Sequence, residues 1–549
     1  MKILEPQVDT LFDTNPILEL PFPHIYNHFC QIVMRDMLDN MELPYSTLIP
    51  YTFIFEKAKD FSNQSLESCT ESGYHIKQED FKNLFACANL NIVFPFIHNK
   101  IYSFTRKSEN ESFIDYFDQA AEDHELTDII LTNLSLPAVT RLERSPKTLL
   151  DKIVYRLKSK RSIDPTAYYD YISKMYSSSQ SAFVEADIIP DSFYNHIGFS
   201  SSEEFKKIRT AYMCLGQTYI DVSVVVDKYL TANALHDTPL GKKLWQGLAM
   251  AKMKHSELKK FIQKMTSASD ADFDKFSEFF FCSQGEHTNI SNKFLPPFWR
   301  IEEYVYFLPA AVPTLLGARN LLIAIQNDKS KNKKYKYDSM ISNLFEPELL
   351  KRAEKHFKSN GFSTCLERNF EGGEIDLLVY CKNSHTIITI QAKATLYPES
   401  ARMARRLDGR IEEAVDQTLR FDNLSIDAKS KIYKKAFPEI QAPDKVNHLR
   451  GILTNSGFGT THSWQLLSKN NITPINCNIL KNVLPECSSL LELPKKTQEL
   501  IDKLKSECEV VEAPKIFELP DHTIRQRHVE TRNMKSLYEA QYWGEAIDL

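Results

Sequence analysis

Near residue 375 the chain reads GGEIDLLVY, then a short polar turn, then TIITIQAKA, and no other stretch constrains the fold as tightly. Both segments have strand length and are rich in β-branched residues, so they predict a hairpin. Side chains two apart on a strand share a face, which puts Gln391 beside Lys393. A hairpin symmetric about Asn383 and Ser384 sets Asp376 opposite Gln391 and Glu374 opposite Lys393, and opposed residues also share a face. A carboxylate, an amide oxygen and an ammonium group then converge, a set suited to a divalent metal and a water attacking a phosphodiester. Isolated Asp and Lys residues on strands usually mark a solvated face. Here Gln391 and Lys393 end the apolar run from Ile387 to Ile390, which favours a site.

The flanking segments fit an α/β unit. Upstream, LFEPELLKRAEKHFKSNGF carries Leu349, Leu350, Ala353 and Phe357 as a helical stripe and stops at Gly361, suited to a left-handed C-cap. Downstream, a helix from Glu399 to Phe421 places Arg402, Arg406, Arg410, Glu413 and Gln417 on one face. HLRGILTN, the loop from Asn455 to Gly459, THSWQLLSKN and ITPI then read as strand, loop, helix and strand. Thr454, Asn455 and Ser456 fall at a strand end, where open α/β sheets contact ligands, and equally suit a turn.

A helix bearing an acid, then GEID, then QAK resembles the PD-(D/E)xK nuclease superfamily, and the QAK variant is similar to Mrr-type restriction endonucleases. HLRGILTNSGFGTTHSW resembles the G-[IV]-x-[TS]-[TN]-x-x-F block of those domains. The resemblance covers residues 338–490 and implies a metal-dependent nuclease. In it Asp376 ligates Mg²⁺ or Mn²⁺, Gln391 adds its amide oxygen, Ala392 its peptide oxygen, and Glu346, Glu348 or Glu354 an acid from the helix. Glu346 is preferred, because its FE pair resembles the start of Mrr-like domains. Lys393 holds or deprotonates the attacking water and stabilises growing negative charge. Gln391 stands where most members carry Asp or Glu, which implies weaker metal affinity. Glu374 either tunes Lys393 or only finishes the turn. Arg402, Arg406, Arg410 and Gln417 face nucleic acid, or the arginines pair with Glu412, Glu413 and Asp416 on a solvated surface.

The resemblance further implies DNA as substrate, a homo-oligomer because paired cuts need two active sites, and a bacterial restriction or anti-phage role triggered by a partner protein or phage component. Two other readings stay open: a catalytically inactive nuclease-fold module that binds nucleic acid or assembles with partners, and an RNA nuclease.

The rest of the chain bounds these expectations. Its 549 residues, 42% hydrophobic, suffice for several domains with sizeable cores. Eight of fifteen glycines follow residue 331, so the earlier part is expected to be mainly helical and the whole α+β: a large helical N-terminal region followed by an α/β restriction-endonuclease-like domain. The expected divisions are 1–190 and 191–328 as helical lobes, 338–490 as the nuclease domain and 491–549 as a charged tail, with KSKNKKYK at 329–336 as a solvated linker. SEEFKKIRTAYMCLGQ and its continuation, and KKLWQGLAMAKMKHSELKKFIQKM, each predict one long helix. The aromatic clusters FSEFFFCS and FWRIEEYVYF read as core rather than base-stacking platforms. VYFLPAAVPTLLGARNLLIAI, with two prolines and Arg319, predicts a buried helical hairpin and not a membrane span. Ten cysteines without CxxC or Cys/His spacing predict reduced thiols and, with no secretory signal at the N-terminus, a cytoplasmic protein. A net charge of -5 confines any nucleic-acid surface to local patches. Absence of GxxxxGK[ST] and GxGxxG motifs argues against an ATP-driven motor.

Overall fold

The structure, a computed structural model, describes residues 4–40, 48–58, 76–135, 147–159, 168–179, 189–283, 295–395 and 401–532, with Met1 and Pro398. The chain is mixed α and β, and it divides into two compact units. One gathers described residues of 1–91, 139–184 and 191–335, and the other those of 92–138, 185–190 and 336–549. The expected boundary at 190 therefore does not separate two lobes, and the described residues from 491 to 532 belong to the second unit rather than to a separate tail.

In the first unit the Ser202–Ala232 helix is the organising element. Ser201 caps it by accepting the Glu204 backbone N–H. Phe205, Ile208, Tyr212, Leu215, Tyr219 and Val226 are all buried, more than one stripe holds, so the helix is surrounded rather than laid on a surface. Gly216 lies where the Pro309–Ala311 turn and the Val312–Leu315 helix cross it. An added Cβ would stand 3.0 Å from Val312 Cβ and 3.1 Å from the Pro309 carbonyl oxygen. Gly216→Ala is therefore expected to cost about 1–3 kcal/mol, visible as a lower chemical-denaturation midpoint.

Two helical expectations in this unit give way to strands. The KKLWQGLAMAKMK stretch forms Pro239–Ala249 and His255–Thr266 as separate helices with the strand Ala251–Lys254 between them. That strand pairs with Tyr304–Phe307, the start of the expected helical hairpin. The paired residues lie 50 to 56 positions apart, from Lys254 and Tyr304 to Ala251 and Phe307, beyond the reach of a local helical period. The aromatic clusters are core, as expected: Phe276, Phe280, Phe298 and Phe307 are fully buried. KSKNKKYK falls where the two units divide, after Tyr335, but it is not a solvated linker. Lys329–Tyr335 is helical, and Lys334 and Tyr335 both bond Glu278.

Elements of the second unit are numbered within it. β1 (Tyr102–Arg106) and β2 (Glu111–Tyr116) form a hairpin, followed by α1 (Gln119–Ser135). α2 (Tyr337–Met340) leads through a π-helical turn, Ile341–Phe345, into α3 (Glu346–Ser359). β3 (Ser363–Phe370), β4 (Gly373–Cys381) and β5 (Thr386–Lys393) make an antiparallel meander. α4 (Ala401–Asp422) and α5 (Ile426–Ala436) cross over to β6 (Asn447–Thr454), α6 (Thr461–Lys469) and β7 (Ile472–Ile475). β6 runs parallel to β5, and β7 to β6, giving the sheet order β7-β6-β5-β4-β3. A parallel neighbour requires such a crossover, which is why the arginine-bearing helix lies against the strands.

β5 is buried along its whole length, as its Ile387–Ile390 run dictates. On one face Leu378, Tyr380 and Ile387 pack with Phe421, Tyr433 and Phe437 from the crossover. α3 buries Leu349, Leu350, Ala353 and Phe357, the expected stripe, and the chain leaves it through Gly361 at φ +82°.

The region after α6 departs most from expectation. α7 (Leu493–Glu507) is followed by β8 (Glu509–Glu512), β9 (Lys515–Leu519), β10 (His522–Gln526) and β11 (Val529–Arg532). β10 lies parallel to β2, so β1, β2, β10 and β9 form a second sheet. Residues 533–549, the end of the expected tail, lie outside the described residues. Every described cysteine is a free thiol. Among the described residues no helix is long and apolar enough to cross a membrane.

Candidate functional site

The hairpin register is the one its symmetry predicts. β4 and β5 pair from Cys381 and Thr386 to Leu377 and Ile390, so the next positions are Asp376 and Gln391. There the ladder stops. On the other side of β4 the pairing with β3 skips Glu367 and Asp376, and Glu367 has the left-handed φ of 48°, costly for a residue with a Cβ. Ile375 and Leu378, three apart, enter the same apolar cluster, so strict alternation does not run through Asp376. The strand kinks where the carboxylate sits.

Asp376 fills the opening it makes. Its Oδ2 accepts the Ala392 backbone N–H at 2.6 Å. N–H and C=O of one strand residue point to the same edge, so the Ala392 carbonyl also faces the opened end of the hairpin. Gln391, 3% exposed, donates its amide N–H to the Glu374 carbonyl at 2.6 Å, which leaves the amide oxygen pointing the other way. Lys393 is 6% exposed, and its Nζ lies 3.6 Å from Glu413 of α4. The expected pairing of Lys393 with Glu374 is thus replaced by one with Glu413, because the strands part before reaching that pair.

Of the three candidate helix acids, Glu346 joins this group. The Lys393 ammonium and the Arg410 guanidinium both act on its charge, and the Ala394 backbone bonds to it. Glu348 pairs with Arg352 at 3.0 Å, and Glu354 bonds Thr364 at 2.9 Å and Lys358 at 2.9 Å, so both serve local structure. Burial pushes the Asp376 carboxyl up to about 7, opposed by the Ala392 N–H and Lys393 and reinforced by Glu346 and Glu374. Burial likewise raises Glu346, with Lys393 and Arg410 pulling the other way. One Glu346 carboxylate oxygen is buried with no hydrogen-bond partner, and so is the Gln417 amide oxygen.

The basic face of α4 meets the ion-pair expectation in part, at Arg410 and Glu413, and otherwise turns to Asp338. Arg406 and Arg410 reach Asp338 of α2 at 2.5 and 3.8 Å, and Arg410 reaches Glu413 at 3.7 Å, while Glu412 and Asp416 are exposed. Arg402 is exposed, and Arg405 binds Asn99.

Thr454, Asn455 and Ser456 are structural rather than a ligand rim. Asn455 accepts the Thr395 N–H at 2.7 Å and donates to its carbonyl at 2.8 Å, clamping the chain just past Lys393 to the end of β6. Thr454 donates to the Ser456 carbonyl. Two buried aspartates, unremarked in the sequence, fix the following loop. Asp128 of α1 accepts the Phe458 and Gly459 N–H groups, and Asp408 of α4 binds Thr460 and Ser463 at the start of α6. Asp408 sits between Arg406 and Arg410 in sequence, so anchoring it inward turns the arginines outward.

Among the described residues no three His, Cys, Asp or Glu side chains form a metal-holding group. Asp376 and Glu346 act on each other's surroundings through Lys393, and Gln391 and Ala392 flank them on β5. No family model, curated protein or solved structure matches the chain.

Proposed function

We propose that the second unit is a metal-dependent endonuclease hydrolysing DNA phosphodiesters, acting in restriction or anti-phage defence, with the first unit as sensor, regulator or oligomerisation module. The observation that supports this best is the meeting of Glu346, Asp376 and Lys393 at the one place where the β3-β4-β5 meander opens. Helix α3, the β4-β5 hairpin, α4 and the β6-α6-β7 strand, helix and strand follow one another in the order the nuclease resemblance implies, with α5 inserted before β6.

The donor set of Asp376, Glu346, Gln391 and Ala392 fits Mg²⁺ or Mn²⁺. All its atoms are hard oxygens, one Glu346 oxygen is buried and unpaired, and two neighbouring carboxylates raised by burial are stabilised by a cation. Asp376, Glu346, Gln391 and Ala392 would hold the ion, which when bound supplies Lewis-acid stabilisation of a phosphoryl oxygen and a more acidic water. Asp376 holds its geometry through the Ala392 N–H, so the carboxylate does not need to reorganise. Lys393, sheltered from water, directs its ammonium protons at the attacking water and at charge building on the phosphoryl oxygens. Arg402, Arg406, Arg410 and Gln417 line the α4 face along which the strand would pass.

A second reading, a nuclease-fold module that binds nucleic acid without cutting, is favoured by one observation. Gln391 replaces a carboxylate and spends its N–H on Glu374. Incubation of purified full-length protein with plasmid, linear duplex, single-stranded DNA and RNA, in Mg²⁺, Mn²⁺ or EDTA, separates the readings. Cutting of DNA that EDTA abolishes is the expected result. Cutting of RNA alone transfers the activity to that substrate, and salt-sensitive binding without any cutting selects the second reading.

A further inference from the structure

The basic groups around the site form a chain with two carboxylates: Lys393, Glu413, Arg410, Asp338, Arg406, with successive separations of 3.6, 3.7, 3.8 and 2.5 Å. It begins at a buried lysine and ends in solvent, where the Asp338 side chain is 61% exposed. Asp338 is shared by two guanidinium groups, and Arg406 also covers the Tyr337 ring at 5.4 Å. Two arginines converging on one planar anion, one of them braced on an aromatic face, present the donors that a phosphate accepts. The carboxylate stands where a phosphate fits, and it is held weakly: an exposed ion pair contributes about 0–1 kcal/mol.

The position of Asp338 in the chain adds a second observation. Two residues before it Lys336 has a left-handed φ of 48°, and after it the π-helical turn Ile341–Phe345 runs directly into Glu346. A π turn and a left-handed lysine are both departures from a relaxed helix, so the segment bearing Asp338 has irregular backbone on both sides and is joined to Glu346 through the π turn.

We propose that Asp338 occupies the seat of a nucleic-acid backbone phosphate beside the scissile one, and that Arg406 and Arg410 exchange this carboxylate for the phosphate when a strand binds. The identity of the polymer rests on the nuclease reading; the exchange itself does not. Asp338 is then a built-in competitor, which lowers affinity for non-specific polyanions without touching the reacting groups.

The test is fluorescence anisotropy of a labelled duplex DNA, with single-stranded DNA and RNA as further arms, in low salt with EDTA so that no cutting intervenes. Asp338→Asn is expected to bind about 3- to 10-fold more tightly than wild type. Asp427→Asn, an equal charge change on the exposed start of α5, is expected to gain less than twofold, roughly the effect of net charge alone. Removing both arginines should erase the gain from Asp338→Asn. Unchanged or weaker binding by Asp338→Asn, an equal gain from Asp427→Asn, or a gain that survives loss of both arginines overturns the proposal. A gain without cleavage in any metal keeps the exchange and removes the nuclease reading, whereas cleavage without a gain removes the exchange alone.

Discussion

Lys393→Ala is expected to lower metal-dependent cleavage by about 10²–10³-fold, the size of loss seen when one preorganised donor to a developing anion is removed. Lys393 is 6% exposed and its ammonium interacts with Glu413, Glu346 and Asp376, so it works in a site from which water is largely excluded. Its removal leaves those carboxylates less compensated. Divalent ions should therefore stabilise Lys393→Ala against unfolding at least as much as they stabilise wild type, even as cutting is lost. A residue that only supported the fold would show the opposite: a lower midpoint with or without metal and partial activity. Lys393→Met, which keeps the stem packed while losing the charge, guards against a packing defect. Cleavage by Lys393→Ala at the wild-type rate would remove this site from the mechanism.

The hairpin bearing Asp376, Gln391 and Lys393 was legible in the sequence because everything that sets it is local. Two apolar segments, a short polar turn and period-two alternation fix the register to the residue, and the α3 stripe follows from a 3.6-residue period inside fourteen residues. What lay hidden depends on partners far along the chain. Ser112 and His522 are bonded at 2.8 Å across 410 positions, so the β2-β10 pairing that turns the charged C-terminal segment into sheet has no local signature. Asp128 and Asp408 look like ordinary helix-surface acids until the N–H and O–H groups that donate to them are seen. Burial raises Asp128 to about 7 in spite of the N–H groups it accepts, which is how a loop 330 positions away constrains it. The Glu413 partner of Lys393 was hidden for a different reason. Ideal pairing puts Glu374 there, and only the kink at Glu367 and Asp376 breaks that register.

That kink makes Asp376 the second large lever. Its carboxyl is raised from the ordinary 3.8 to about 7, chiefly by burial. A group whose proton is held more tightly in the folded state contributes stability that is full below the unfolded value and is lost as pH rises through the folded one. For Asp376 that window runs from 3.8 to about 7. Without divalent metal, wild type should therefore be less stable at pH 8 than at pH 5 by an amount on the order of 1–3 kcal/mol from this group. Asp376→Asn retains an oxygen to accept the Ala392 N–H but has no charge to desolvate, so it should flatten that slope and exceed wild type in stability at pH 8. The same substitution removes a metal donor. Mg²⁺ should raise the wild-type unfolding midpoint at pH 8, more weakly at pH 6 where protons compete, and should leave Asp376→Asn nearly unmoved while its cleavage is abolished. Unfolding curves for both proteins at the three pH values, with Mg²⁺ and with EDTA, read all of this together. A wild-type slope that Asp376→Asn reproduces would mean that Asp376 is already ionised and paired in the folded protein. A Mg²⁺ shift that survives the substitution would place the ion elsewhere.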